Sequence, residues 1–296
     1  MQATPQRPQY LFPAGARFGP DNLVLHARGR RHSVSGFAGP LSIKTVLSGV
    51  VSWNVGGREL VVDPASFLVL NAGEKYSMEI DSPRAVETAC AFFRGGFVEG
   101  YAQDATTPVE SSLDDPARAA PPLPWVSRLH HDSSGAILGR VRTLAERCAA
   151  QLQPSSFEED FLLLSGSLLR LYREMKSRMA RVPALKVSTR EELFRRLEIG
   201  REYLHGHLEG PVSLEATARE ACLSRYHFHR AFTQAFRKTP HAYLTEVRLA
   251  RAHALLRSGA PVIQACTDVG FTSTGSFSRL FRAAYGAPPS AMRARR

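Results

Sequence analysis

The sequence predicts an α+β chain of two domains: an antiparallel β-barrel with two helices behind it, then an all-α domain with two helix-turn-helix motifs. Three observations predict it. Residues 41–93 break into short alternating segments separated by turn residues at roughly 8–12-residue intervals, the texture of a small barrel or sandwich. Near the C-terminus one pattern is written twice: Phe228, Phe232 and Phe236 recur 49 positions later as Phe277, Phe281 and Tyr285. Each trio falls at i, i+4 and i+8, so each shares one helix face and buries it. Charge then divides the chain: residues 1–183 hold 20 Lys and Arg against 18 Asp and Glu, whereas residues 184–296 hold 18 against 9. A basic domain beside a nearly neutral one suits a polyanion partner such as nucleic acid.

Taken in order, residues 1–20 are Pro- and Gly-rich and read as an N-terminal arm. The barrel is expected over about 21–100. Leu41–Leu47 alternates; Val50–Val55 meets Glu59–Val62 across Gly56-Gly57, a hairpin signal; Asp63-Pro64 turns into Ser66–Leu70; and a last strand covers Ala85–Phe93. His26 and His32 are placed before the strands. Residues 101–135, rich in Ala, Pro, Asp and Ser, read as a long loop holding His130-His131.

Two helices follow, within about 134–181. Leu138, Val141, Ala145, Cys148 and Leu152 form a heptad-like seam; Ser156-x-x-Glu159 is a capping box for a helix with Phe161, Leu164, Leu168, Leu171 and Met175 inward. Such short seams pack on their own domain or form a dimer interface. The 21–182 domain is thus separated by a linker at 183–188 from a helical domain at 189–296, in which Thr189-x-x-Glu192 caps the first helix.

In the first repeat Leu214–Ala221 is a short helix, Cys222-Leu223 a turn, and Ser224 the cap of a helix through Phe236. Phe228, Ala231, Phe232, Ala235 and Phe236 form its buried stripe, and Tyr226, His229, Arg230 and Thr233 its outward one. Thr239-Pro240 ends the unit, and a connecting helix spans Tyr243–Leu256, closed by Ser258-Gly259. The second repeat has a helix from Val262, a turn at Gly270-Phe271, and a helix burying Phe277, Leu280, Phe281, Ala284 and Tyr285. Thr274, Ser278, Arg279 and Arg282 face outward, with Gly275 offering no side chain. The copies align at offset 48 before the turn and 49 after it, so the second turn is one residue longer. Helices with an apolar back and a polar, Arg-bearing front suit two DNA major grooves, where Arg and His donate to guanine O6 and N7.

Those residues carry a resemblance. Ala218-x-x-x-Cys222-Leu223-Ser224-x-x-x-Phe228-x-Arg230-x-Phe232, then Gly270-Phe271-x-Ser273-x-x-x-Phe277-Ser278-Arg279-x-Phe281-Arg282 and Gly286-x-x-Pro289-Ser290, resemble the DNA-binding domain of the AraC/XylS family of bacterial transcription regulators. The resemblance implies seven helices and two motifs joined by a rigid helix, with both recognition helices entering major grooves on one face of the duplex. It carries base contact to Tyr226, His229 and Arg230, and to Thr274, Ser278 and Arg279. Ser224, Arg225, Arg237, Lys238, Ser273 and Arg282 are the candidate phosphate contacts. Cys222 departs from the Gly usual in the first turn, and Gly275 removes a side chain that often reads a base.

Residues 20–95 resemble the cupin-type sensory domain of many such regulators, on strands and turns only. This implies a small-molecule effector bound in the barrel by residues not assigned, a homodimer, and RNA polymerase as a partner of an activator. A cupin metal site needs H-x-H and a Glu on neighbouring strands, which these histidines do not supply, so no metal and no cofactor is expected. No Ser/His/Asp or Cys/His constellation can be assembled, so no catalytic residue and no enzyme is expected. Cys90, Cys148, Cys222 and Cys266 lie far apart and read as small buried hydrophobes. With no signal peptide and no long apolar stretch, the expectation is a cytoplasmic protein without a membrane partner. Two alternatives remain: a cupin-fold enzyme fused to a DNA-binding module, and a dimeric regulator that binds no ligand.

Overall fold

The structure is a computed structural model that describes residues 16–105, 123, 128–132, 135–150 and 157–292. Most of the N-terminal arm, much of the 101–135 loop, Leu152 and the Ser156 cap lie outside the described residues. The chain divides into two compact units, Met1–Met175 and Lys176–Arg296.

The first unit is a nearly closed antiparallel barrel of seven strands: β1 (Leu23–Ala38), β2 (Ser42–Ser48), β3 (Val51–Val55), β4 (Arg58–Val62), β5 (Ser66–Leu70), β6 (Lys75–Phe92) and β7 (Leu129–His131). They run in the order β4-β3-β6-β2-β5-β7, with β1 also paired to β6. The β3–β4 hairpin closes on Gly56 and Gly57, at φ 59° and 78°. Two consecutive left-handed residues give the turn whose twist matches the strands, which is why glycine stands at both.

The helices α1 (Phe97–Asp104), α2 (Ala136–Ala149) and α3 (Glu158–Ala180) complete this part of the chain. One sheet face, with Ile43, Phe67, Val69, Ala89 and Ala91, packs against Phe97, Val141, Leu144, Phe161, Leu164 and Leu168 of the helices. The described seam residues Val141, Ala145 and Cys148 on α2 and Phe161, Leu164 and Leu168 on α3 therefore bury within their own unit. The other face gathers Val46, Trp53, Val55, Leu60, Leu68, Leu70 and Ile80 as the barrel interior. Trp53 is fully buried there, and its truncation to Ala is expected to cost about 3–5 kcal/mol.

Three readings of this half are corrected. His26 and His32 do not precede the strands; they sit in β1, a 16-residue strand. Its Arg28-Gly-Arg-Arg-His stretch lacks apolar alternation because that part of the strand is largely exposed. The strand expected over Ala85–Phe93 is β6, which begins at Lys75 rather than Ala85 and is followed by a further strand, β7. Asp81-Ser82-Pro83 looks like a break, but it lies where the β1 register shifts between Gly29 and Arg31, so Pro83 is not asked to donate a ladder hydrogen bond. The 101–135 loop is entered by the end of α1 and contains β7, where the half of the pair that is buried, His130, stacks on Phe67 at 5.3 Å.

The second unit contains α4 (Val187–Gly206), α5 (Leu214–Glu220), α6 (Arg225–Phe236), α7 (Pro240–Arg257), α8 (Val262–Asp268), α9 (Thr274–Tyr285) and α10 (Pro289–Met292). The α4 boundary is a correction. Lys186, not Thr189, is the N-cap, and no side chain caps it. Glu192 is unavailable for a capping box because Arg195 and Arg196 bind its carboxylate at 2.8 and 2.7 Å. Those two hydrogen bonds hold the Glu192 carboxyl down near about 2.

Helix α7 is shared by both repeats. Leu244 and Val247 pack with Leu208, whereas Leu249, Ala252 and Leu256 join Ala265, Cys266, Val269, Phe277 and Phe281. A buried Arg201–Glu198 ion pair, with Arg201 Nη1 donating to Tyr243 Oη at 3.3 Å, ties α4 to α7. Thr239-Pro240 opens α7 rather than simply ending the unit before it: Thr239 Oγ1 accepts from Ala242 N, and Pro240 takes the first turn, where no donor is needed. What stops α6 is Arg237, in the left-handed region at φ 55°.

Candidate nucleic-acid interface

Each repeat builds its outward face with the same local devices. The short helix α5 ends when Cys222 N donates to Arg219 O and Leu223 N to Ala218 O, both at 2.9 Å. The equivalent end of α8 uses Gly270 N to Thr267 O at 2.9 Å and Phe271 N to Cys266 O at 3.1 Å. This paired closure requires a left-handed residue at its first position, and Cys222 (φ 52°) and Gly270 (φ 77°) supply it. Ser224 then caps α6 by accepting from His227 N, and Ser273 caps α9 by accepting from Ser276 N, both at 3.3 Å. One residue, Leu223, separates the left-handed position from the cap in the first turn and two, Phe271 and Thr272, in the second, which is the added residue.

Behind the faces, aromatic stripes anchor both helices. Phe228 contacts Phe232 (5.3 Å between centroids), and Phe232 contacts Phe236 (4.3 Å) and Tyr243 (5.8 Å). In the second unit Phe277–Phe281 and Phe281–Tyr285 lie at 5.6 and 4.7 Å, and His253 of α7 stacks on Tyr285 at 4.6 Å. Gly200 of α4 is required by this packing, because a Cβ there would run into the Phe228 ring. The stripe of α9 is narrower than expected: Phe277 and Phe281 are buried, Leu280 and Tyr285 half-buried, and Ala284 is exposed.

The six candidate base readers divide as follows. Tyr226 is 75% exposed, an unusual state for a tyrosine ring, and His229, Arg230, Thr274 and Arg279 are exposed as well; Ser278 is half-buried. Among the described residues, no hydrogen bond or ion pair engages the Arg230 or Arg279 guanidinium. The two arginines occupy equivalent positions 49 residues apart. Tyr226 corresponds in the same way to Gly275, His229 to Ser278 and Thr233 to Arg282. Gln234, exposed one turn beyond Arg230, belongs to the same side of α6. It escaped the sequence reading, which followed the stripe only from Tyr226 to Thr233.

The candidate phosphate contacts are all exposed, but not equally available. Arg225 Nη1 donates to Glu215 at 2.6 Å, an interaction that holds the Glu215 carboxyl below its ordinary range. Lys238 is paired with Glu246. Arg237 and Arg282 have no such acidic partner among the described residues, and Ser224 and Ser273 use their hydroxyl oxygens as caps. Cys222 is exposed rather than buried, the exception among the four cysteines.

The two faces are joined by more than α7. Arg248, midway along that helix, donates from Nε to Leu208 O at 3.0 Å and from Nη2 to Gly210 O at 2.6 Å. Gly270, in the second turn, packs against the same two groups: a Cβ on it would meet Leu208 O and the Arg248 guanidinium. Thus the start of the first motif and the turn of the second share one junction around a single arginine.

Comparison with known proteins agrees with this construction. Residues 217–295 match the family model of a helix-turn-helix domain, and residues 24–156 that of an AraC-like ligand binding domain. The HTH-type transcriptional activator RhaS of Escherichia fergusonii is 37% identical over 92 residues, 31% of this chain and 33% of the relative. Regulatory protein SoxS of Salmonella typhimurium is 28% identical over 95 residues, 32% of this chain and 89% of the relative. The chain spans only 26% and 24% of the length of the first curated relatives it matches. A crystal structure of a probable AraC family transcriptional regulator from Rhodopseudomonas palustris aligns with 29% identity, covering 33% of this chain and 93% of that one, at a TM-score of 0.31. No helix of the described residues is long and apolar enough to cross a membrane. With a ligand-binding barrel matched in one unit and a doubled helix-turn-helix in the other, the chain belongs to the AraC family of DNA-binding transcriptional regulators.

Proposed function

We propose that this chain is an effector-controlled transcription activator, one protomer of which reads two successive major grooves through α6 and α9. Tyr226, His229 and Arg230 contact bases in one groove, and Thr274, Ser278 and Arg279 in the next. Ser224, Arg225, Arg237, Lys238, Ser273 and Arg282 hold the phosphates. The observation that carries this reading is the pair of exposed guanidiniums, Arg230 and Arg279, at equivalent positions of two helices held by the Arg248 junction. An arginine on an outward helix face with no acidic partner is ready for the bidentate contact to guanine O6 and N7. The homodimer, RNA polymerase as the partner of activation and the domain limits 21–182 and 189–296 belong to the same proposal, with no catalytic role for the barrel.

Footprinting and binding-site selection test it. The fragment should begin at Lys176, because Arg181 Nε and Nη2 donate to Ala235 O at the end of α6, at 3.0 and 2.8 Å. It is expected to protect about two consecutive turns, roughly 20 bp, on one face of the duplex, with affinity falling steeply as salt releases phosphate counterions. Protection of a single turn, unchanged in Arg279→Ala, would show that the second helix is only a prop. Activation is read separately, as transcription from a promoter bearing the selected site with purified RNA polymerase.

A further inference from the structure

We propose that the barrel interior holds an anion site built on Lys44, and that the effector is a small organic carboxylate with an apolar body. The proposal rests on the reading of the barrel as the effector domain and names the chemistry of its ligand. Lys44 lies in β2, opposite Cys90 of β6 and Leu68 of β5, and is 1% exposed. Its Nζ donates to Tyr76 Oη at 3.1 Å, sits 3.6 Å from the centroid of the Phe92 ring and lies 4.7 Å from that of Tyr76. Among the described residues no carboxylate pairs with it. Residues 1–15, which precede the barrel, contain no Asp or Glu.

An ammonium taken out of water without a counter-charge is costly to keep, and ring faces offset only part of that. The surroundings resist a charged Lys44 further. Burial pushes its pKa down to about 8, and it pushes the Tyr76 phenol and the Cys90 thiol up, so neither supplies a negative charge near neutrality. Among the described residues one demand is unmet, a negative charge within reach of Nζ.

The apolar part of the ligand is specified by what leads away from Lys44. Phe37 meets Tyr76 edge-on at 5.7 Å, and Phe18 meets Phe37 at 5.7 Å and Phe92 at 4.9 Å. Phe18 is itself 42% exposed, so a continuous aromatic path runs from solvent to the buried ammonium. A ligand whose ring or chain takes the place of the Phe18 ring would bring its carboxylate onto Nζ.

The test uses the full-length protein and a thermal-shift titration with sodium benzoate and sodium octanoate. The neutral isosteres benzamide and octanamide, and cationic benzylamine, are run alongside. At least one carboxylate is expected to raise Tm, with the matching amide needing roughly tenfold or more concentration for the same rise. Lys44→Met is expected to raise Tm of the unliganded protein and to lose the carboxylate response. Lys44→Gln serves the same purpose if the Met variant does not fold. An amide as effective as its acid, or a response retained without Lys44, overturns the anion assignment while leaving the barrel an effector site. Silence from both carboxylates overturns the anion assignment, and silence from a broad neutral library in addition overturns the effector reading on which it rests.

Discussion

The two helix-turn-helix units differ most where they are least buried. Behind the reading helices the correspondence is close: Phe228 with Phe277, Phe232 with Phe281, Phe236 with Tyr285, and a serine cap on each. In front, Tyr226 becomes Gly275, His229 becomes Ser278 and Thr233 becomes Arg282, with only the Arg230–Arg279 pair kept. Apolar burial and capping decide where each helix sits, and the outward positions are then free to differ. The lesson is that a scaffold can be repeated without repeating the face it presents.

The sharpest way to break the correspondence is at the turns. Gly270→Ala should destabilise the 176–296 fragment by about 3 kcal/mol, since the residue is left-handed and its Cβ would push on Leu208 O and Arg248. Chemical denaturation measures it; a loss under about 1 kcal/mol would mean that the junction yields. Cys222→Gly, at the equivalent position but exposed, should instead be neutral to stabilising by up to about 1 kcal/mol.

Next come the reading positions. Arg230→Ala and Arg279→Ala should each lose about 1–3 kcal/mol of discrimination at a different base step, in binding-site selection on the two variants. Loss at one shared step would mean that the two helices do not read separate sub-sites. Smaller still is the phosphate comparison. Arg282→Ala should reduce the salt slope by about one, and Lys238→Ala by less, because Glu246 already engages Lys238. Equal slopes would show that the Glu246 pair dissolves on DNA.

The smallest effect is one of pH. Burial first, and Arg257 second, lower the pKa of His253, which lies against Tyr285 in the second unit alone. Its unfolded form therefore binds more protons just below pH 6.5, so that unit loses stability as pH falls from about 6.5. His253→Phe should remove this dependence from an unfolding profile of the fragment. An unchanged profile would locate the acid sensitivity elsewhere.

The helical domain was legible because its signals are local. Spacings of three and four, and Ser224 and Ser273 ahead of the helices, each act within a few residues, as does Gly-Gly in the barrel's β3–β4 hairpin. What escaped was set by partners distant in sequence. β1 is a strand because β6 lies beside it, some 60 residues on, and its Arg-rich stretch carries no pattern of its own. The same holds for Lys44, whose burial depends on Tyr76, Cys90 and Phe92, and for Arg248, whose acceptors stand 38 and 40 residues earlier. Thr189 misled because a capping signature says nothing of guanidiniums competing for its glutamate.

The Arg248 junction has a consequence for how such a regulator and its targets change over generations. Each added base pair turns the duplex by about 35° between two sites. Heads clasped around one shared arginine cannot swivel to follow. On the reading proposed above, point changes at Tyr226, His229 or Ser278 would alter which letters are preferred, one at a time and without disturbing the clasp. Insertions and deletions in the operator have no matching step in the protein. Target sites are therefore expected to drift in spelling while keeping their gap, like a lock whose pins may be recut but whose keyway may not be widened.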